Sequence, residues 1–421
     1  MSNYQLGLEF AQQQDQNDPL SEFRNQFHIP KDKDGNPLIY MTGNSLGLQP
    51  KITKTYLVEE LEDWANLGVE GHTEGKHPWL HYHEFLTDTM ATIVGAKPIE
   101  VVVMNSLTAN LHLMMVSFYK PTAKRYKILI EADAFPSDKY AVESQLRHHG
   151  YDEKKGLILW KARDGEELAN YDDLEAIFEE QGDEIALVMI GGVNYYTGQF
   201  FDLKRITQLG HVNGCMVGFD CAHGAGNVPL KLHESGADFA IWCTYKYLNS
   251  GPGSLSGAFV HERHAHNKDL NRFTGWWSHN KETRFKMRDE FDQLPGAEGW
   301  QLSNPPILSM AAIRASLDVF KKAGFENLCK KSKHLTGYFE FLINQLNNPN
   351  IKIITPSNPK ERGCQLSIQV KQADKSLHHK LTEAGVITDW REPDVIRCAP
   401  VPLYNSFQDI YYLVERLKTI L

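Results

Sequence analysis

The sequence predicts an α/β protein: a large domain built on a mostly parallel sheet flanked by helices, with a smaller α+β domain at the C-terminal end. Three observations carry this. Short β-rich apolar runs alternate with helical stretches from Glu100 to Phe259, the pattern of strands joined by helical crossovers. Two of those runs, Met216 to Phe219 and Phe239 to Thr244, are closed by polar residues that an apolar strand does not need, Asp220 and, just past the second, Lys246. After Val260 the alternation stops, and from about Ala323 helices and strands mix in an α+β pattern.

Composition narrows the function classes. The chain has 421 residues, 42% of them hydrophobic, enough for a large core and two domains. The net charge is −9 with no basic block, which argues against a nucleic-acid partner. No apolar run approaches the roughly 18 residues of a membrane-spanning helix. MSNYQLGLEFAQQQDQNDPL lacks the charged and apolar regions of a signal peptide. The cysteines (Cys215, Cys221, Cys243, Cys329, Cys364, Cys398) form no CxxC pair and read as free thiols. A cytoplasmic protein without membrane segments is expected.

Taken in order, residues 1–49 form a polar N-terminal segment, with helical periodicity at Leu6–Gln14 and Leu20–Phe27 and a short strand at Leu38–Met41. GNSLGLQP follows, a turn whose Asn44 and Ser45 read as helix caps or as residues lining a site. The large domain spans 50–310. It opens with an amphipathic helix at Ile52–Trp64, then a glycine- and histidine-rich stretch, and a helix at Trp79–Val94. His77, His81 and His83 lack acidic or cysteine partners at ligand spacing beyond Glu84, so no metal is expected. Strands are expected at Val101–Met104, Lys127–Glu131, Gly156–Trp160 and Ile185–Ile190, with helices at Ala109–Phe118, Leu168–Glu180 and Leu203–Asn213. HERHAHNKDL reads as a polar linker, and Trp276 and Trp277 as core or as a rigid aromatic wall. The small domain, 311–421, carries helices at Asn327–Leu346, Leu377–Ala384 and Phe407–Ile420 and strands at Ile351–Thr355, Cys364–Val370 and Val395–Cys398.

Polar groups delivered at the carboxyl ends of parallel strands face the crevice where such sheets bind ligands. A lysine there can hold an aldehyde cofactor as a Schiff base, and a carboxylate can keep the cofactor's pyridine nitrogen protonated. Asp220 and Lys246 therefore point to pyridoxal phosphate, against the plain alternative of a capping Asp and a surface Lys. Ala222, His223, Gly224 and Gly226 let a flat ring approach the backbone. The turn Asn105–Thr108, set between a strand and a helix start, offers free amides to the phosphate; ordinary capping by Ser106 or Thr108 is the other reading. Phe135 follows a strand end and can stack on a ring or fill the core. Arg397 ends a short strand, as a surface salt bridge or as a clamp on a substrate carboxylate.

CTYKYLNSGPG, GFDCAHGAGN, SLTANLH, AFPSDKY, YYTGQFFD, GWWSH, SNPP and RCAPVPLYNSF together resemble the kynureninases, pyridoxal-phosphate enzymes of aminotransferase class V and fold type I. The likeness runs from GNSLGLQP to the last helix. It implies catalytic roles for Lys246, Tyr245 and Asp220. It implies cofactor contacts from Leu107, Thr108, Phe135, Pro136, Ser137, Asp138, Asp220, His223, Tyr245, Lys246, Trp276 and Asn304. Ser45, His72 and Asn304 would line the aryl end of the substrate, and Arg397 would hold its α-carboxylate. Gly191 stands where some members carry a phosphate-binding serine, so that contact is lost here. Trp276 and Asn304 would come from the second subunit of a homodimer with shared active sites. The implied reaction is hydrolytic Cβ–Cγ cleavage of L-kynurenine and 3-hydroxy-L-kynurenine to anthranilate or 3-hydroxyanthranilate plus L-alanine, within tryptophan catabolism and NAD biosynthesis. Polar His72 and Asn304 at the aryl end predict a preference for the 3-hydroxy substrate. A cysteine desulfurase or selenocysteine lyase on the same fold would need a mobile-loop thiol, which none of the cysteines resembles. A non-catalytic dimer would not need Lys246, Asp220, Tyr245 and Arg397 together.

Overall fold

Runs of Val, Ile and Leu that are apolar on both faces have to be covered on both sides, and they form the central sheet here. The computed structural model describes residues 4–421. Seven strands lie in the order Val101–Met104, Ser256–Val260, Phe239–Cys243, Met216–Asp220, Ile185–Gly191, Lys127–Glu131, Leu157–Trp160. Only Ser256–Val260 runs against the others. Nearly every residue of these strands is buried, and two apolar clusters cover the two faces of the sheet. The parallel strands therefore open their carboxyl ends on one edge, where Glu131, Gly191 and Asp220 stand on adjacent strands.

The small domain holds a four-stranded antiparallel sheet in the order Asp389–Arg391, Val395–Cys398, Leu366–Val370, Ile351–Ile353. Its core is shared with the N-terminal segment. Helix Leu8–Gln16 packs on helix Phe407–Ile420, and strand Ile39–Tyr40 pairs in parallel with Val386–Ile387. Helix Ile307–Ala323 packs on helices Thr53–Leu67 and Glu84–Val94 of the large body.

Several expectations change in detail. The helix expected from Trp79 begins at Glu84, after a 3₁₀ turn at Trp79–His81. The HERHAHNKDL run is no linker. Arg263 Nη2 and His264 Nε2 both reach Asp238 Oδ1, while His211 and the Val217 amide take Oδ2. These partners hold the buried Asp238 carboxyl far below the usual range and staple the run to the end of the sheet. The tryptophan pair splits. Trp277 is buried under the Arg284 guanidinium at 4.2 Å, whereas Trp276 is exposed and edge-on to Phe285. His83 and Glu84 approach Glu298 closely enough to share a cation, but the Lys281 ammonium already bonds Glu84 at 2.8 Å and Glu298 at 2.6 Å.

Candidate active site

A cleft opens at the carboxyl edge of the parallel strands. Its lining includes Leu107, Thr108, Phe135, Ser137, Asp138, Asp220, His223, Tyr245 and Lys246, all expected from the sequence. Each arrives from a strand end or a helix start.

Two helices point their N-termini into the cleft. One runs Leu107–Phe118 and the other Pro136–His148, and neither first turn is capped by a side chain. Ser106, a candidate cap, makes no capping bond, so the first amides of that helix stay available. Thr108 Oγ1 and Ser137 Oγ lie 3.0 Å apart between the two helix starts. Free amides, two hydroxyls and two aligned dipole ends make a cradle for a phosphate. Pro136 occupies the first turn of its helix, where a missing N–H costs nothing.

On the other side Lys246 Nζ is 2.9 Å from His223 Nε2 and 5.8 Å from the centre of the Phe135 ring. Burial first, then the charges of Lys246, Arg397 and Arg391, push the His223 ring well below its ordinary value. His223 is therefore neutral and can accept from the lysine ammonium. Its Nδ1 is buried without a partner. The loop after Lys246 is locked by the GNSLGLQP turn. The Gly47 amide donates to the Tyr245 carbonyl at 2.8 Å, and a β-carbon at 47 would fall 2.3 Å from the Lys246 carbonyl. Only glycine allows that approach.

Three carboxyl groups face this space. Asp220 Oδ1 accepts from the Ala222 amide at 2.7 Å. Burial raises both Asp220 and Asp138, and Asp138 is pushed further by the charges of Asp220 and Glu131. Asp138 therefore carries the proton of that pair, and its Oδ1 is buried without a partner. Lys246 pulls both groups down. The third carboxyl, Glu131, escaped the sequence reading because it ends an ordinary apolar strand. Both its oxygens accept from the Gly191 amide, at 3.0 and 3.1 Å. A β-carbon at 191 would lie 2.6 Å from Glu131 Oε1, so the glycine expected to cost a side-chain contact makes room for this carboxyl instead.

Burial, with the charges of Asp220 and Asp133, pushes Glu131 up to about 7. The folded chain holds a proton that the unfolded chain releases near the ordinary value of 4.5. Its contribution is thus complete below that value and is lost as pH rises toward 7. Glu131→Gln, whose amide oxygen can still accept from Gly191, should be more stable than the parent by about 3 kcal/mol at pH 8 and nearly equal at pH 4. Urea unfolding at both pH values checks this; an equal difference at the two would contradict it.

The remaining expected residues lie outside the cleft of a single chain. Arg397 is buried, not on the surface; its Nη1 donates to the Tyr195 carbonyl at 2.6 Å and its Nη2 pairs with Asp389. Ser45 is exposed on the turn beside the Lys246 loop. His72 packs edge-on to Trp79, while Asn304 is exposed and Trp276 largely so. Asn44, a candidate cap, is instead buried and donates to Gln365 at 3.0 Å. Tyr195, given no role in the sequence although it stands in the YYTGQFFD stretch, lines the cleft edge-on to Phe135 with ring centres 5.3 Å apart.

Solved structures share this fold. A C-DES variant with glycine linked to its PLP cofactor superposes with a TM-score of 0.77 at 16% identity, covering 94% of this chain and 98% of that one. The cysteine desulfurase CsdA of Escherichia coli gives 0.75 at 16%, covering 95% and 98%. At that identity the likeness concerns the fold alone. Residues 328–417 match the family model described as the kynureninase C-terminal domain. A kynureninase of Myxococcus xanthus is 58% identical, covering 97% of this chain and 96% of that protein, and a kynureninase of Mus musculus is 49% identical, covering 97% and 92%. With identities of this size over almost its whole length, the chain belongs to the kynureninase family.

Proposed function

We propose that the protein uses pyridoxal 5'-phosphate to cleave L-kynurenine and 3-hydroxy-L-kynurenine hydrolytically between Cβ and Cγ, releasing anthranilate or 3-hydroxyanthranilate and L-alanine. The observation that carries the reading is Lys246 Nζ inside a cleft walled by Asp220, Asp138, Phe135 and two uncapped helix starts. That set fits the cofactor. Lys246 suits its aldehyde, Asp220 its pyridine nitrogen, Phe135 its ring face, and Thr108 with Ser137 its phosphate. The unpartnered Asp138 Oδ1 and His223 Nδ1 leave polar atoms for it to satisfy.

Bound there, the cofactor supplies an electron sink for carbanions next to the substrate nitrogen. The chain supplies the rest. Asp220 keeps the pyridine nitrogen protonated. Lys246 would hold the cofactor through its amine and act as the base for the Cα proton, with His223 at 2.9 Å to orient it. Arg397 holds the α-carboxylate and so fixes which Cα bond faces the base. Tyr245 keeps its proton at neutral pH, because burial, and then Cys243, push its hydroxyl well above the ordinary value. It can therefore donate to the Cβ carbon as alanine forms. Tyr245→Phe should lower kcat by about 10²-fold with cofactor retention unchanged; unchanged turnover removes Tyr245 from the proton path.

The active unit is a homodimer in the cytoplasm, working in tryptophan catabolism. Trp276 and Asn304, outside the cleft of their own chain, reach the site of the second copy, and His72 and Ser45 meet the aryl end of the substrate. The desulfurase alternative finds no nucleophile: burial raises all six thiols, Cys364 to about 12 and Cys329 to about 11.

The test is a product assay on the reconstituted protein with kynurenine and 3-hydroxykynurenine separately. The aryl acid with equimolar alanine supports the reading, and the ratio of kcat/KM values reports the aryl-end preference. A cofactor-loaded protein that forms neither product but releases sulfur from cysteine overturns it.

A further inference from the structure

Two arginines share one carboxylate behind the cleft wall. Asp389 Oδ2 pairs with Arg397 Nη2 and also with Arg391 Nη2, the latter at 3.1 Å. Asp389 and Arg397 face each other across neighbouring antiparallel strands, so the pair is built into the sheet register. Both guanidinium carbons stand 5.7 Å from the centre of the Tyr195 ring, and that residue lines the cleft. The Tyr195 carbonyl is fixed from two sides, by Arg397 Nη1 at 2.6 Å and Gln365 Nε2 at 3.0 Å. The Nε atoms of Arg391 and Arg397 are both buried and without a partner. Two positive charges against one negative leave an excess of one, which matches a single carboxylate. The excess reaches the cleft, since both arginines depress His223 on its wall, after burial and Lys246.

Resting on the assignment of Arg397 to the substrate α-carboxylate, we infer that Arg391 is a positioning residue for that carboxylate. By sharing Asp389 it frees Arg397 for the incoming amino acid, while Asp389 holds the Arg397 fork before substrate arrives. Asp389 competes with the substrate for Arg397. Arg391 sets the strength of that competition. Without Arg391 the Asp389 charge falls on Arg397 alone, and the substrate must break a stronger buried pair. Neutralising Asp389 removes the competitor and reverses the effect.

The experiment compares Arg391→Gln, Arg391→Lys, Arg391→Gln with Asp389→Asn, and Arg397→Gln as holoenzymes. Equilibrium binding is measured for L-alanine and for ethylamine, which lacks the carboxylate; KM and kcat are measured with kynurenine. Arg391→Gln should weaken L-alanine and raise KM by about tenfold, leaving ethylamine binding unchanged and kcat within about twofold. Arg391→Lys should keep most of the affinity, and the double variant should recover most of the loss. The inference is overturned if Arg391→Gln leaves L-alanine binding unchanged, weakens ethylamine equally, or is not relieved by Asp389→Asn. Arg397→Gln separates the two claims. If it spares L-alanine, the carboxylate assignment itself fails; if it abolishes L-alanine binding while Arg391→Gln changes nothing, only the role of Arg391 falls.

Discussion

Lys246→Ala should abolish turnover of both kynurenines, a loss of at least about 10⁴-fold, while the fold and part of the cofactor affinity survive. The argument is positional. Lys246 Nζ is held in the cleft by a neutral histidine that accepts from it, and its backbone is locked by the Gly47 contact. The amine is thus presented to one place. In the proposed mechanism, removing it takes away both the covalent anchor and the base for the Cα proton. The phosphate cradle at the starts of helices Leu107–Phe118 and Pro136–His148 does not depend on Lys246. Cofactor should therefore still bind, without the yellow chromophore of the lysine adduct. Turnover within tenfold of the parent would remove Lys246 from the chemistry.

Asp220→Ala should cost about 10³-fold in kcat with cofactor still bound. Asp220 is the last residue of a central strand, buried, and fixed by the Ala222 amide. A carboxylate so placed beside a protonated ring nitrogen works at low local dielectric, where one ion pair is strong. Its neighbour Asp138 holds a proton partly because Asp220 is charged. In the variant that push is gone, so Asp138 ionises more readily and supplies some compensation. Adding Asp138→Asn should deepen the loss. Comparing kcat and cofactor retention for the single and double variants checks both statements; full activity in Asp220→Ala would contradict them.

The large sheet was readable because its strands announce themselves. Val101–Met104 is an unbroken apolar run and Lys127–Glu131 an apolar centre between two charged ends, and their limits agree with the structure. Asp220 and Lys246 stood out because each breaks an apolar pattern at its end. Strand Asp389–Arg391 was not legible: three polar or aromatic residues carry no alternation, and they pair only because Val395–Cys398 offers a free edge. Glu131 was invisible for a related reason. Nothing local separates a buried strand-end Glu from an exposed one; what distinguishes Glu131 is the Gly191 amide, 60 residues away. The polar HERHAHNKDL run misled because its partner, Asp238, lies in a different segment.

The most direct measurement of the central claim, that the cleft around Lys246 is the cofactor site, is borohydride reduction of the reconstituted protein followed by peptide mass mapping. The account predicts one pyridoxyl phosphate per chain, on the peptide that carries Lys246 and on no other. Label on a different lysine, or a reconstituted protein that takes none, would contradict it.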